Sequence, residues 1–278
     1  MMLKDIKAKY AVVEGLKIRY LDIGKGEPIL FLHGLSGRIE TWVKQIPYFV
    51  ENGFRVISLD IPPHGGSDKP VRVYSLSYLS RIIIGLLDLL GIEKTIVVGH
   101  SMGGVITLTL AMLYPKRVKI AISLSASPGV TRRPRFINIV VFGLLIVRGL
   151  FRKMYAWIEY GSQYKKIMVS PLSEYLLYMA HLAYKGIVTF PHLQYYGLLT
   201  GISKGMWNYI ERINMPVAIV MGDRDEFFSA ADIPDIAKRN KNITPVILHG
   251  VGHNLFELED LNSRIHNIIK ILEKKLAQ

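Results

Sequence analysis

The chain of 278 residues contains no cysteine. A thiol nucleophile, a disulfide framework and a thiolate metal site are therefore excluded, and the composition fits a cytoplasmic protein. Charge is also sparse, with Asp, Glu, Lys and Arg at 21% of residues against 50% hydrophobic. That balance excludes a disordered chain, because enough apolar surface is available to offset the entropy of ordering. Met1 to Tyr10 has no apolar core of signal-peptide length, so a secreted form is not expected. The strongly apolar span Phe136 to Phe151 falls short of the roughly 20 residues a spanning helix needs. It also carries Arg148 near its end, and reads as an amphipathic lid helix rather than a membrane span. Visible linkers, repeats and low-complexity tracts are lacking, and the length suits one large α/β domain or a domain with an insertion.

Acidic residues are scarce relative to basic ones, 22 against 35, and the formal net charge is +13. The excess is local. Between Pro128 and Ile210 ten Lys and Arg face two acids, Glu159 and Glu174, so this segment supplies eight of the thirteen charges. Two readings follow: a solvated basic face, or a weak association with an anionic membrane surface. Nucleic acid is not an expected partner, since no recognised binding module accompanies the charge.

Along the chain, extended segments at Tyr10 to Glu14 and Leu16 to Ile23 flank a Glu14-Gly15 turn. Apolar, β-branched runs follow at Pro28 to Leu32, Phe54 to Leu59, Thr95 to Val98 and Lys119 to Leu124. Helical patterns at Glu40 to Glu51, Ser77 to Leu90 and Gly104 to Leu113 separate them. This alternation predicts a mostly parallel sheet covered on both faces. It breaks between Pro128 and about Met215, a helical segment holding nine of the fifteen tyrosines, and so reads as an insertion. Strands at Pro216 to Met221 and Thr244 to Leu248, with helices at Ala231 to Asn240 and Leu255 to Leu276, resume the pattern.

Between the third parallel run and its helix stands Gly99-His100-Ser101-Met102-Gly103. A G-x-S-x-G at a strand-to-helix turn is a nucleophile elbow, which lifts a serine hydroxyl above the sheet edge. Gly99 and Gly103 allow strand and helix to approach, and small neighbours tolerate the strained serine backbone. A serine hydroxyl needs a base. His253, in Gly250-Val251-Gly252-His253-Asn254 after the last strand, is placed for that role, although a loop histidine there could equally cap the next helix. An acid must orient the imidazole, and the turn after the preceding strand offers Asp223 and Asp225. Asp225 is expected, because it lies far enough past Gly222 to point back over the sheet, whereas Asp223 can pair with Arg224. An oxyanion hole requires two donors. Leu35 in His33-Gly34-Leu35-Ser36-Gly37 and Met102 after the nucleophile can present backbone N–H groups, with Gly34 allowing close approach; His33 reads as structural.

These pieces, together with Asp60-Ile61-Pro62-Pro63-His64-Gly65-Gly66-Ser67-Asp68, resemble the α/β-hydrolase fold superfamily over nearly the whole chain. Pro63 stands where that family usually has glycine. The resemblance implies a mostly parallel sheet of about eight strands flanked by helices. It also implies a helical cap inserted between strands six and seven, with residues 1–127 and 216–278 as core and 128–215 as cap. The Ser101, Asp225, His253 order matches the chain order of that fold. Related haloalkane dehalogenases and epoxide hydrolases carry aspartate at the elbow, so Ser101 argues against both. No metal site or cofactor is implied, and the Ser101 loop lacks the Gly-Lys-Ser/Thr ending of a P-loop. Aromatic cap residues such as Phe142, Phe151, Trp157, Tyr178 and Trp207 favour a small hydrophobic ester as substrate. The expected activity is that of a serine esterase, a carboxylesterase or monoacylglycerol-type lipase. The alternatives are a carbon–carbon hydrolase of a dienoate, whose carboxylate the basic cap would answer, and a silent protein binding a hydrophobic ligand.

Overall fold

In the computed structural model, which describes residues 8–35, 37–70, 74–127, 210–225 and 228–277, the chain opens on a hairpin of β1 (Lys9–Val13) and β2 (Leu16–Ile23). Glu14 and Gly15 have φ of 51° and 74°. Two left-handed residues make the tight turn whose twist matches its flanking strands, so Val13 faces Leu16 in an antiparallel pair. Six further strands follow: β3 (Glu27–Leu32), β4 (Phe54–Leu59), β5 (Thr95–His100), β6 (Val118–Leu124), β7 (Val217–Gly222) and β8 (Ile243–Leu248). The described strands form one eight-stranded sheet in the order β1-β2-β4-β3-β5-β6-β7-β8. β2 runs antiparallel to β1 and β4, and every other neighbouring pair is parallel. β5 and β7 are buried along their whole length, as their unbroken apolar runs anticipate.

The described helices are α1 (Gln45–Glu51), α2 (Leu76–Leu89), α3 (Met102–Leu113), α4 (Ile233–Arg239) and α5 (Leu261–Leu276). α2 starts at Ser75, whose side chain accepts the Tyr78 N–H at 3.1 Å, a cap worth about 1 kcal/mol. α5 lays Ile265, Ile268, Ile269 and Leu272 on the sheet, in one cluster with Phe31, Trp42, Ile46, Phe49, Ile96 and Ile122. Each such side chain contributes about 1.5–3 kcal/mol by leaving water. α3 packs against β5 and β6 and buries ten of its twelve residues, a helix without a wet face.

Two helices differ from their sequence patterns. The stretch expected as one helix over Glu40 to Glu51 is a 3-10 turn, Ile39–Trp42, followed by α1. Pro47 explains the break: its ring would clash with the carbonyl of residue 43 inside a continuous helix, whereas in the first turn of α1 its missing N–H costs nothing. The pattern from Leu255 onward divides into a 3-10 turn at Leu255–Glu257 and α5. Asp260 sets the new start, its carboxylate taking Arg264 Nε at 2.7 Å and its charge suiting a helix N-terminus.

Residues 210–215, assigned by sequence to the insertion, are fastened to the core. Ile210, Ile213 and Met215 are buried, and Asn240 Nδ2 donates to the carbonyls of Ile210 and Ile213 at 2.8 Å each. The rest of the expected cap, including the Phe136 to Phe151 lid and the basic aromatic segment, lies outside the described residues. No described helix is long and apolar enough to cross a membrane.

Candidate active site

Parallel strands deliver the site residues to one edge of the sheet. β5 ends at His100, and Ser101 turns the chain into α3 with φ 54° and ψ −116°. That backbone is strained for any residue with a Cβ, at a cost of about 1–3 kcal/mol. The fold over-determines it. Ser101 N–H donates to the Leu124 carbonyl at 2.8 Å, and side chains at Gly99 and Gly103 would overlap the Gly103 and Leu32 carbonyls respectively. On the next strands, Ser125 N–H donates to Val220 O at 2.8 Å, and Asp223 N–H to Leu248 O at 3.0 Å. A side chain at Gly222 would overlap the Val251 carbonyl, so the loops after β7 and β8 lie in direct contact.

This scaffold brings three predicted residues into one line. His253 Nε2 lies 3.0 Å from Ser101 Oγ, and His253 Nδ1 lies 2.9 Å from Asp225 Oδ2. A carboxylate only accepts, so Nδ1 carries the proton and the Nε2 lone pair faces the hydroxyl. The Asp225 side chain is fully buried and that of His253 is 16% exposed, so the hydrogen bond between them is shielded while the imidazole keeps an edge toward solvent. Asp225 Oδ1 accepts the Phe228 N–H at 3.0 Å, which fixes the second oxygen. The Phe228 ring stacks over the imidazole with centroids 6.0 Å apart.

Asp223, the competing acid, points elsewhere: it accepts the Gly250 N–H at 2.8 Å and pairs with His249 Nδ1 at 3.1 Å. It is spent on holding the turn after β8. Met102 occupies the first position of α3, and Leu35 follows Gly34. Gly34 sits against the elbow, where an added Cβ would come within 3.3 Å of Ser101 Cβ and 3.1 Å of His100 Nδ1. His33 is structural in geometry. Its Nδ1 donates to the Gly34 carbonyl at 2.7 Å and its Nε2 accepts the Ile61 N–H at 2.9 Å. Burial pushes its pKa down to about 4, which keeps this neutral tautomer at ordinary pH.

Three contributors escaped the sequence reading. Asp60, fully buried, accepts the N–H groups of Ile39 at 2.8 Å and Gly66 at 2.7 Å and pairs with Arg19 at 2.9 Å. It thereby ties the loop after β3 to the loop after β4. His100 and Phe228 flank His253. Asp60 and His100 stand inside recognised motifs, but only their partners in space reveal their use. Among the described residues no group of three His, Asp or Glu side chains is placed to hold a metal ion.

A family model described as the alpha/beta hydrolase fold matches residues 27–260. The chain is 35% identical over 118 residues to a putative non-heme haloperoxidase of Mycobacterium phage D29, a match covering 42% of each chain. It is 35% identical over 154 residues to a 2-hydroxy-6-oxononadienedioate/2-hydroxy-6-oxononatrienedioate hydrolase of Paraburkholderia phymatum, covering 52% of this chain and 53% of that one. The chain thus spans about half the length of these curated relatives. Among solved structures, an epoxide hydrolase of Vigna radiata superposes with TM-score 0.71 at 21% identity, over 97% of this chain and 99% of that one, a likeness of fold.

Proposed function

Because the chain belongs to the alpha/beta hydrolase fold family, we propose that it is a serine hydrolase cleaving carboxylic esters of hydrophobic acyl groups, a carboxylesterase or monoacylglycerol-type lipase. The observation that carries this reading is the run Ser101 Oγ to His253 Nε2 at 3.0 Å and His253 Nδ1 to Asp225 at 2.9 Å. Ser101 Oγ attacks the ester carbonyl while His253 Nε2 takes its proton, and Asp225 stabilises the imidazolium. The oxyanion of the tetrahedral intermediate is met by the N–H groups of Leu35 and Met102. As it collapses, His253 returns the proton to the departing alcohol and an acyl-Ser101 remains. Water, deprotonated by His253, then releases the acid and restores the hydroxyl.

Epoxide opening is disfavoured on chemical grounds. A carboxylate nucleophile gives an ester that water can cleave, whereas Ser101 would give an ether that the same groups could not hydrolyse. A carbon–carbon hydrolase acting on a dienoate is the second reading, favoured by the Paraburkholderia relative. The test is a panel of p-nitrophenyl esters of graded chain length. Turnover is expected for wild type, with a loss of about 10⁴-fold or more in Ser101→Ala. A folded wild type that turns over no ester and takes up no fluorophosphonate would overturn the proposal. A higher kcat/KM on a 2-hydroxy-6-oxo-dienoate than on any ester would favour the second reading.

A further inference from the structure

His100, between Gly99 and Ser101, has no task in the reaction above, yet it touches both loops that the reaction uses. It is buried at the end of β5, and its Nε2 lies 3.1 Å from the His253 carbonyl oxygen. Its ring centroid is 5.1 Å from that of His253 and 4.9 Å, edge-on, from that of Phe256. On its other edge Nδ1 faces Gly34, where even a methyl group would come within 3.1 Å. A carbonyl only accepts, so His100 carries its proton on Nε2 and donates it to the backbone of the candidate base. The Leu255 N–H donates to the same carbonyl at 3.2 Å. Gly250 and Gly252 flank the approach to His253; the Gly250 N–H and the Val251 carbonyl are tied to the loop after β7, and the His100 donor adds a fixed point at His253 itself.

We propose that His100 is a positioning residue: its Nε2–H pins the His253 main chain while its ring braces the imidazole, holding Nε2 within reach of Ser101. The inference rests on the reading of His253 as the base of a serine hydrolase. Burial, followed by the nearby His253, pushes the His100 pKa down to about 4, so the brace stays uncharged in the working range. A filler of the core would do the same packing with an apolar side chain. A donor to the His253 carbonyl would not.

Three variants separate the two. His100→Leu keeps the bulk and removes the donor, His100→Gln keeps an amide donor at similar reach, and His100→Asn has an amide too short for the carbonyl. The measurements are the second-order rate of fluorophosphonate labelling of Ser101, kcat and KM on a p-nitrophenyl ester, and the proton resonance of His253 Nδ1–H. In His100→Leu the labelling rate and kcat are expected to fall about 10- to 100-fold, the loss that a displacement of about 1 Å brings. KM should move less than about threefold, and the Nδ1–H signal should broaden away. His100→Gln should restore the rate to within about threefold and recover the signal. Equal rates and signals in wild type and His100→Leu, or equal losses in Leu and Gln variants, overturn the inference. If His100→Leu does not fold, the Asn and Gln pair decides by the same criteria. A wild type that resists labelling would overturn the hydrolase reading instead, and the resonance would still judge His100.

Discussion

Two carboxylates are withdrawn from water at the carboxyl edge of the sheet, Asp60 after β4 and Asp225 after β7, and both accept backbone N–H groups. Their remaining partners differ. Asp60 pairs at 2.9 Å with Arg19, whose guanidinium is raised further above its ordinary range by Glu40 and Asp60. A guanidinium keeps its proton at any working pH, so this pair can only fasten, joining β2 to two loops. Asp225 faces an imidazole, a side chain able to take up and return a proton during a reaction. On the proposed mechanism, the same buried charge is a lock in one place and an electrostatic support for proton transfer in the other. The partner's chemistry, and not the depth of burial, makes the difference.

Neutralising each carboxylate breaks this comparison if it is wrong. Asp225→Asn is expected to lower ester turnover by about 10⁴-fold, because an amide favours the wrong imidazole tautomer. Its thermal unfolding should shift by only a few degrees, measured on the same preparation. Asp60→Asn reverses the pattern. It leaves Arg19, which keeps Glu40, facing an uncharged amide, and replaces an oxygen that accepts buried N–H groups, so it should cost about 1–3 kcal/mol in urea unfolding. The fraction that remains folded should keep kcat within about tenfold. A stable, inactive Asp60→Asn, or an unstable but active Asp225→Asn, would show that the two roles have been exchanged.

The sequence foretold the lines of this architecture where pattern follows directly from local physics. Buried parallel strands read as continuous apolar runs; Ser101 and Asp225 follow two of them, β5 and β7, and His253 follows the partly exposed edge strand β8, so the strand ends place all three on one edge. Asp225 over Asp223 was also legible, from distance beyond the Gly222 turn. What stayed hidden depends on contacts between distant segments. Arg19 is one polar residue in an alternating strand, and nothing nearby marks Asp60, 41 positions on, as its partner. His100 is an unspecified position in its motif, and its acceptor is 153 residues away. The break before α1 could have been read from Pro47, which the apolar spacing of Trp42, Ile46 and Phe49 outweighed.

Each carboxylate has a buried neutral histidine beside it, and these sharpen the comparison through pH. His33 accepts the N–H of Ile61, next to Asp60, and His100 donates to His253, next to Asp225 in the site. Burial lowers both from 6.5 to about 4. The unfolded chain therefore binds more protons than the folded one between those values. The stabilising contribution is fully present above pH 6.5 and is lost as pH falls toward 4, by about 3 kcal/mol for each histidine. Urea unfolding at pH 7, 5.5 and 4 measures the slope, and His33→Gln or His100→Gln should each flatten it, the remainder coming from groups such as His266 and Glu40 that are lowered as well. If the lock and the proton-transfer site are independent, the two flattenings add, because residues without shared partners behave additively. A double variant that falls short of the sum would instead couple the two regions through Gly34, whose carbonyl accepts from His33 and whose backbone lies against His100.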